Sequence, residues 1–198
     1  MKKNTNRLIY REAWIEDIDA ILRLHRRFHV DSVADEDRPD GFVTTDFTPE
    51  LLRRLIQEER GLFVAMDGDR VAAYVMSASW EFCAQWPIFV EMIATLPQLE
   101  YRGRALSVEN SYQYGPVCVD TPYRGTEVLP GIFGFALERM ARRYEILVTF
   151  VNRQNPRSFA AHTRRLGLEV IGEFEFGGNR YWELACLTRP DHPRLSKE

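Results

Sequence analysis

The sequence predicts a mixed α/β fold, in which helices pack on a sheet that carries both strand orientations. The predicted order is strand, two helices, three strands, helix, strand, helix and two strands. Short apolar runs of strand length alternate with longer segments whose apolar residues recur at helical spacing. Two glycine-containing turns join neighbouring strands directly, as in antiparallel hairpins. The 198 residues are enough to bury one core, so we expect residues 1–198 to form a single domain.

The first predicted strand, residues 7–14, leads into a helix at residues 15–28, whose apolar residues lie at nearly helical spacing. Residues 31–46 are polar and contain a Pro-Asp-Gly sequence, which indicates a loop. Thr48 is a good N-cap with proline at the next position, so a second helix is predicted over residues 49–59.

A hairpin is predicted from residues 62–66 and 70–80, because the Asp-Gly-Asp sequence at 67–69 separates two apolar runs. About thirty residues then separate this hairpin from the next predicted strand, which is long for a connection in a compact domain. This segment, residues 81–110, is apolar in composition and is expected to be a helical insertion, with its helix at residues 86–96.

The second half of the chain carries the remaining predicted elements. A strand at residues 111–120 precedes a helix that is marked by an apolar stripe: Leu129, Ile132, Phe133, Ala136, Leu137 and Met140. A short buried strand at 146–151 is followed by a capped helix at 156–167, which ends at a glycine. The last two strands, 170–176 and 179–187, flank a Gly-Gly turn.

The composition narrows the classes of function. Hydrophobic residues make up 45% and charged residues 28%, with a formal net charge of −3. This balance is typical of a globular protein and lacks the basic excess of nucleic-acid or membrane-binding surfaces. Three scattered cysteines and the absence of a predicted leader or long apolar span favour a cytoplasmic protein. His25 and His29 lie four residues apart but no carboxylate-rich motif accompanies them, so we expect no metal site.

One loop has the features of an anion-binding site. The sequence from Val117 to Leu129 runs from a strand through a turn into a helix. A helix N-terminus presents unpaired N–H groups and the positive end of the helix dipole. Arg124 stands beside this turn, where its charge can reach a phosphate. An ordinary strand–turn–helix with a surface arginine is the alternative interpretation of the same residues.

This loop resembles the pyrophosphate loop of the GNAT acetyltransferases, in which Arg or Gln, two residues, Gly, one residue and then Gly or Ala follow a Val-rich strand. Arg124 matches the first position, whereas Glu127 and Leu129 stand where the family has its small residues. The resemblance implies a mostly antiparallel mixed sheet, splayed at its centre near Gly115-Pro116, with helices on both faces. It also implies acetyl-CoA as co-substrate, contacted by Val117, Val119, Arg124, Gly125, Thr126, Glu127, Val128 and Leu129.

A second block resembles the other GNAT signature. Asn155 stands at the end of a predicted strand, Ser158 follows three residues later, and a Gly-apolar pair begins at Gly167. The resemblance implies that Asn155 and Ser158 contact the cofactor. Taken alone, Asn155 is equally explained as an N-cap and Ser158 as a small packing residue. Both blocks occur in the family's order, so the resemblance covers residues 7–187.

Acetyl transfer to an amine needs a neutral amine, a donor for the developing oxyanion and a route for protonating the thiolate. The position that carries a basic glutamate in some GNAT members is Gln113 here, which cannot titrate. Glu109 and Glu81 lie near the strand ends and could act through water, and we take Glu109 as the candidate base. The family's general acid corresponds to His162 when counted from Ser158. It corresponds to Thr163 when counted back from Gly167, because the helix carries one extra residue. We take His162 as the candidate acid, because a histidine titrates near neutrality.

The resemblance predicts an enzyme that transfers an acetyl group from acetyl-CoA to an amine-bearing acceptor by direct attack in a ternary complex. The alternative is a degenerate GNAT domain that serves as a CoA-ligand sensor or partner-binding module. Family members usually cross between the two central strands in a short turn, so the insertion at 81–110 is predicted to shape the acceptor site. A core-packing helix and a contact of a possible homodimer are the other interpretations of its apolar residues.

Overall fold

The computed structural model describes residues 8–34, 36 and 41–189. The strands within this part of the chain are β1 (Leu8–Glu12), β2 (Leu62–Asp67), β3 (Arg70–Ala78), β4 (Glu100–Tyr101), β5 (Arg104–Ala105), β6 (Ser111–Val119), β7 (Ile146–Asn152), β8 (Glu169–Phe176) and β9 (Asn179–Leu187). The α-helices are α1 (Ile18–Phe28), α2 (Pro49–Arg54), α3 (Trp80–Cys83), α4 (Pro87–Thr95), α5 (Val128–Met140) and α6 (Pro156–Ala160).

Seven of these strands form one sheet in the order β1-β2-β3-β6-β7-β9-β8, and β4 and β5 form a separate small hairpin. The β6–β7 pair is parallel, whereas β1–β2, β2–β3, β7–β9 and β8–β9 are antiparallel. The predicted mixed, mostly antiparallel α/β fold is therefore confirmed. The contacts divide the chain into two compact units, Met1–Ser77 with Gly115–Ala136 and Ala78–Tyr114 with Leu137–Glu198, which are described separately.

The first unit contains β1, β2 and β3, together with α1 and α2. The predicted hairpin turn is present, since Asp67 pairs with Arg70 and Gly68 takes a left-handed φ of 59°. A bulge between Ala65 and Met66 shifts the register of β2 against β3. Of the apolar residues that predict this helix, Ile18, Ile21, Leu22 and Leu24 are buried in α1, whereas Ile15 is exposed in the 3₁₀ turn that precedes it.

A glycine in α5 allows close packing within the first unit. A Cβ atom built on Gly131 would lie 2.2 Å from the hydroxyl oxygen of Tyr10 in β1. Tyr10 also donates a hydrogen bond of 3.4 Å to the carbonyl oxygen of Glu127, one residue before α5 begins. Gly134, in the same helix, has nothing within 4 Å of its ideal Cβ position. Gly131 is therefore required where α5 begins.

The second unit contains β7, β8 and β9 with the first part of β6. The β6–β7 ladder pairs Ser111–Gln113 with Ile146–Val148, and residues 149–152 of β7 pair with β9 alone. The ladder between β6 and β7 thus covers only the first three residues of β6, and Gly115, with φ 107°, follows shortly after.

The insertion at 81–110 is helical, as expected, but its organisation differs from the prediction. The strand predicted to continue to Trp80 ends at Ala78, because Ser79 caps α3 by accepting a hydrogen bond of 3.1 Å from Phe82 N–H. Trp80 instead donates from its indole N–H to Ser111 Oγ at 3.0 Å. The insertion therefore contains two helices, α3 and α4, and the β4–β5 hairpin in place of one helix at 86–96.

Two predicted helices change type near their C-termini. The helix predicted at 49–59 is α-helical to Arg54 and continues as a π-turn over Leu55–Glu59. The helix predicted at 156–167 is α-helical to Ala160 and continues as a π-turn over Ala161–Arg165, where Leu166 N–H bonds to Ala161 at 3.0 Å. A π-turn accommodates one residue more than a regular helical turn. This turn is where the extra residue anticipated from the sequence is absorbed.

Candidate functional site

The predicted phosphate loop lies in the first unit and is built around Asp120. Directly after β6, Asp120 Oδ1 accepts a hydrogen bond of 2.8 Å from Thr121 N–H and thereby caps a short 3₁₀ turn, Thr121–Tyr123. Gly125 follows with φ 75°, a conformation that favours glycine. The predicted change from strand to turn to helix at these residues is therefore present.

Arg124 is fastened to the loop itself. Its Nε donates to the carbonyl oxygen of Val119 at 3.1 Å, and its guanidinium carbon lies 4.4 Å from the ring centroid of Phe28 in α1. The side chain is half-buried in this position. The arginine thus ties the end of β6 to the loop, and a phosphate would meet a side chain that is already oriented.

Backbone donors remain at the start of α5. The carbonyl of Glu127 accepts from Gly131 N–H at 2.9 Å, so Glu127 caps the helix, and Val128 N–H reaches Thr126 Oγ1 at 3.4 Å. Within the described part of the chain, no hydrogen-bond acceptor is found for the N–H groups of Gly125 and Leu129. Donors of this kind at a helix N-terminus are suited to an anion.

The departure from the family pattern at Glu127 is placed away from the core. Glu127 is exposed. The pKa of Tyr10 is raised mainly by the burial of Tyr10 and, to a smaller extent, by the negative charge of Glu127. Leu129 and Thr126 are half-buried, and Val128 is fully buried. Val117 and Val119 are half-buried on either side of the buried Cys118 in β6. The groups of this loop that suit an anion are therefore its backbone N–H donors and the guanidinium of Arg124.

A charge network that the sequence did not reveal anchors the same loop. The carboxylate of Asp120 is 1% exposed and accepts hydrogen bonds from Arg27 of α1, at 2.9 Å, and from Arg70 of β3. Burial raises the pKa of Asp120, but the hydrogen bonds from Arg70 and Arg27 outweigh it and leave the pKa below its usual value. Nearby, Tyr123 donates to Asp67 at 2.5 Å. An aspartate that follows a strand and precedes Thr-Pro predicts a helix cap, but no sequence pattern predicts that Arg27 and Arg70 bind Asp120.

The second predicted block lies in the second unit and brings three of the predicted residues together. Asn155 is buried and its side chain accepts from Ser158 N–H at 3.0 Å, so it caps α6. Ser158 is half-buried, and its hydroxyl lies 3.3 Å from Nδ1 of His162. Asn155 is thus an N-cap in the structure. Only its side-chain oxygen is used for the cap, so the side-chain nitrogen can make other contacts.

His162 is buried against the central strand. Its Nδ1 lies 2.8 Å from the carbonyl oxygen of Ser158, which can only accept, so Nδ1 carries the proton and Nε2 is the basic nitrogen. The ring lies 6.1 Å from that of Tyr114 in β6. Burial lowers the pKa of His162 despite the bond to Ser158. The neutral ring is therefore better suited to accept a proton than to donate one. Thr163 instead donates to Phe159 at 2.8 Å.

The other candidate base, Glu109, lies apart from this group. It is exposed in the turn before β6, where a hydrogen bond from Ser107 lowers the pKa of its carboxyl group. It lines a shallow depression of about 250 Å³ together with Asn110, Ala141, Arg142, Arg143, Tyr144, Glu145 and Arg189. The described contacts of Glu109 do not include Asn155, Ser158 or His162.

Two buried polar side chains in the second unit have oxygens without partners. Gln113, at the family's glutamate position, is 1% exposed and donates from Nε2 to the carbonyl of Tyr114 at 2.9 Å, and its Oε1 has no partner among the described residues. Glu183 of β9 is 2% exposed, and its Oε1 is likewise unpartnered in this part of the chain. Sequence reasoning did not select Glu183, because an acidic residue inside an alternating strand normally faces solvent.

The described residues contain no cluster of three or more histidine, cysteine, aspartate or glutamate side chains arranged to hold a metal ion. No helix among them combines the length and apolar character needed to cross a bilayer. Cys83, Cys118 and Cys186 are buried and form no disulfide among the described residues, and burial raises the pKa of Cys118 to about 12. Burial also raises the pKa of Cys186, so neither Cys118 nor Cys186 is a reactive thiolate.

Solved structures resemble this chain over most of its length. An acetyltransferase of the GNAT family from Streptococcus pneumoniae aligns at 14% identity with a TM-score of 0.61, covering 91% of this chain and 98% of that one. A Salmonella typhimurium protein solved with its cofactor acetyl-CoA aligns at 17% identity with a TM-score of 0.59, covering 95% and 97%. The ribosomal-protein-S18-alanine N-acetyltransferase of Escherichia coli aligns at 12% identity with a TM-score of 0.57, covering 91% and 94%.

Sequence comparison alone does not reach these proteins. No protein-family model matches the chain, and no curated protein matches it. Identities of 11% to 19% with solved structures are evidence about the backbone and not about the site. TM-scores of 0.57 to 0.61 over at least 91% of the chain show that it has the fold of the GNAT acetyltransferases.

Proposed function

We propose that this chain binds acetyl-CoA and transfers its acetyl group to an amine of an acceptor by direct attack in a ternary complex. The observation that carries the proposal is the loop after β6, where Arg124 is held in place and the N–H groups of Gly125 and Leu129 are unpaired among the described residues. The GNAT fold supports it, because acetyl-CoA occupies one of the similar structures.

Each predicted residue has a role in this proposal. The backbone donors from Gly125 to Leu129, with the guanidinium of Arg124, hold the pyrophosphate. Glu127 is exposed, and in this proposal its carboxylate stays in solvent, away from the bound pyrophosphate. Val117 and Val119 offer backbone groups to the acetyl oxygen and the pantetheine arm, as the family resemblance implies. Asn155 and Ser158 contribute the second set of cofactor contacts.

Proton transfer in this proposal uses groups whose states the structure constrains. The amine must lose a proton before it attacks, and the departing sulfur must gain one. Nε2 of the neutral His162 is a proton acceptor, and His162 becomes an acid once it is charged. Glu109 is exposed and ionised, so it acts only through water. Gln113 does not titrate, and its amide is engaged with the carbonyl of Tyr114.

A degenerate GNAT domain that senses a CoA ligand or binds a partner without catalysis is the second candidate. It is favoured by Gln113 at the position of the family's base and by Glu127 and Leu129 in place of small loop residues. The two candidates differ in turnover. The enzyme and a CoA sensor both bind the cofactor, but only the enzyme releases CoA thiol.

Calorimetry with acetyl-CoA tests the proposal. We expect binding at micromolar to sub-millimolar strength, with about tenfold or greater weakening in Arg124→Ala, since a charge-assisted contact contributes about 1.5–3 kcal/mol. Asn155→Ser keeps a capping oxygen and should weaken cofactor binding without unfolding α6. Arg53→Ala removes an exposed arginine of α2 and is the matched control.

An amine panel with thiol release as the readout then separates the two candidates. Release that depends on the amine supports the enzyme, whereas acetyl-CoA binding without release by any amine supports the sensor. Failure of acetyl-CoA to bind at millimolar concentration contradicts both the transferase and the CoA-sensor assignments.

A further inference from the structure

Glu183 carries a buried carboxyl group for which the described residues supply no counter-charge. It lies in the middle of β9, opposite Phe150 of β7 and Gly172 of β8. A Cβ atom built on Gly172 would lie 2.9 Å from Glu183 Oε2 and 2.9 Å from Leu99, so the absence of a side chain at Gly172 makes room for the carboxyl group. An unpaired buried carboxylate is costly for a fold, and a buried group retained without a partner calls for an explanation.

Aromatic rings surround the same part of the sheet. Phe150, which pairs with Glu183, contacts Phe89 of α4 at 5.6 Å, Phe174 of β8 at 6.0 Å and Tyr181 of β9 at 5.4 Å between ring centroids. Residues two apart in a strand share a face, so Phe174 and Tyr181 lie on the face of Gly172 and Glu183. Phe150 and Phe174 are only half-buried. The ring cluster, Phe89, Phe150, Phe174 and Tyr181, therefore has rings open to solvent beside a covered carboxyl group.

The position of the cluster in the sheet is informative. Gln113 pairs with Val148, where the β6–β7 ladder stops, and Phe150 is two residues further along β7. Gln113 and Glu183 share a face, and sheet spacings place their Cα atoms roughly 12 Å apart. Glu183 and the ring cluster thus lie just past the point where β6 and β7 stop pairing.

We propose that Glu183 and the ring cluster bind a primary ammonium group that is attached to an apolar or aromatic body. The carboxylate pairs with the charge, and the ring faces and edges accommodate both the cation and the apolar body. The further assignment, that this ligand is the acceptor of the acetyl group, rests on the proposed function. It gives the insertion a role in the acceptor site, because Phe89 of α4 is the member of the cluster that the insertion supplies.

In the reaction, Glu183 accepts one proton from the bound ammonium group and leaves a neutral amine. The amine nitrogen attacks the thioester carbon, the C–N bond forms and the C–S bond breaks, with its electron pair leaving on sulfur. The second proton passes from nitrogen to Nε2 of His162 and from there to that sulfur, which gives CoA thiol, and Glu183 returns its proton to solvent. One ammonium ion and one thioester thus give one amide, one thiol and one proton.

The titration of Glu183 fits this role. Burial alone raises the pKa of Glu183, to about 7, so the group exchanges a proton near neutral pH. The titratable and charged groups near it on the packed elements are Tyr181 of β9, Glu169 of β8, and Tyr101 with Arg102 at the β4–β5 hairpin. Glu169 is already held by Tyr101, at 2.9 Å, and by Arg102, at 2.6 Å. Tyr101, Arg102 and Glu169 pair with one another, and Tyr181 is hydrogen-bonded with Asn152, which leaves Glu183 available to a ligand.

Calorimetry with 2-phenylethylammonium at pH 8 tests the site without any cofactor. We expect the parent to bind it and not 2-phenylethanol, which lacks the charge. Glu183→Gln keeps the shape, removes the charge and should weaken binding at least tenfold. Gly172→Ala, which displaces the carboxyl group, should also weaken it. Glu175→Gln makes the same charge change on the opposite face of β8 and should bind like the parent.

Two results would overturn the site: equal binding by Glu183→Gln and the parent, or no binding of 2-phenylethylamine, tyramine or hexylamine by the parent.

The catalytic role of Glu183 is tested with an amine that the protein acetylates. For this amine, Glu183→Gln should raise the acceptor KM and remove the rise of kcat/KM near pH 7, with acetyl-CoA affinity unchanged. Turnover with an unaltered pH profile leaves the transferase standing and refutes the role of Glu183. Amine binding without acetyl-CoA binding keeps the site and refutes the transferase.

Discussion

Neutralising Glu183 should stabilise the protein, in a way that depends on pH. In the unfolded chain a glutamate titrates near its ordinary value of 4.5, whereas burial raises the pKa of Glu183 to about 7 in the folded state. Between these two values the folded state binds more protons than the unfolded state, so stability falls as pH rises. Below pH 4.5 the carboxyl group is protonated in both states and has no such effect. Above pH 7 the full cost is present.

The size of the effect follows from the two pKa values. A change of one in pKa corresponds to about 1.4 kcal/mol, so the difference of about 2.5 between the two values amounts to at most about 3.5 kcal/mol. Residual solvation of the carboxylate lowers the expected gain to roughly 1–3 kcal/mol in Glu183→Gln above pH 7. For a protein of this size each kcal/mol moves the melting temperature by roughly 2–4 °C.

Thermal and urea unfolding of the parent and Glu183→Gln between pH 4.5 and 8.5 measures this difference. We expect the two curves to meet near pH 4.5 and to separate progressively up to pH 7. Glu175→Gln, which removes an exposed carboxylate paired with Arg180 at 3.1 Å, should stay within about 0.5 kcal/mol of the parent throughout. If Glu183→Gln is no more stable than the parent at pH 8, the carboxylate has a partner in the folded protein, and the argument for an ammonium site fails.

Two further predictions concern the first unit. Gly131→Ala should lower the free energy of unfolding by about 1–3 kcal/mol, because the new methyl group meets the Tyr10 ring. Gly134→Ala, in open space on the same helix, should raise it by about 0.5–1 kcal/mol, and denaturant unfolding distinguishes the two. Asp120→Asn should cost about 1–3 kcal/mol at pH 7 by weakening the bonds from the half-exposed Arg27 and Arg70. The lowered pKa of Asp120 means that this difference disappears as pH falls below its ordinary 3.8, and equal stabilities at pH 7 would show that the network is not stabilising.

The fold was predictable because its signals are local. The Asp-Gly turn, the cap at Thr48 and the apolar stripe of α5 each lie within a few residues, and each appears where the sequence places it. For residues 81–110 the sequence predicted helical structure, but it did not predict two helices and a hairpin. Ser79 looks like the end of a strand, yet its hydroxyl starts a helix, and no pattern of apolar residues distinguishes these two outcomes.

The candidate site was less predictable, because its contacts join distant residues. Arg27 and Asp120 are 93 positions apart, and Arg70 and Asp120 are 50 apart. Glu183 depends on a glycine opposite it and on rings from three other elements. A single sequence reveals motif residues such as Arg124 and Asn155, but it does not reveal which charges are left unpaired when the strands come together.

The π-turn after α6 has a consequence for any alignment of this chain with another protein. A helix with one inserted residue has two registers, one valid before residue 161 and the other after residue 165. Positions such as Asn155 and Ser158 correspond to a relative's positions when they are counted forward from β7, whereas Gly167 corresponds only when counted back from β8. In an alignment with a protein whose helix lacks this turn, the gap belongs inside it, because a gap placed elsewhere aligns His162 with the neighbour of its counterpart.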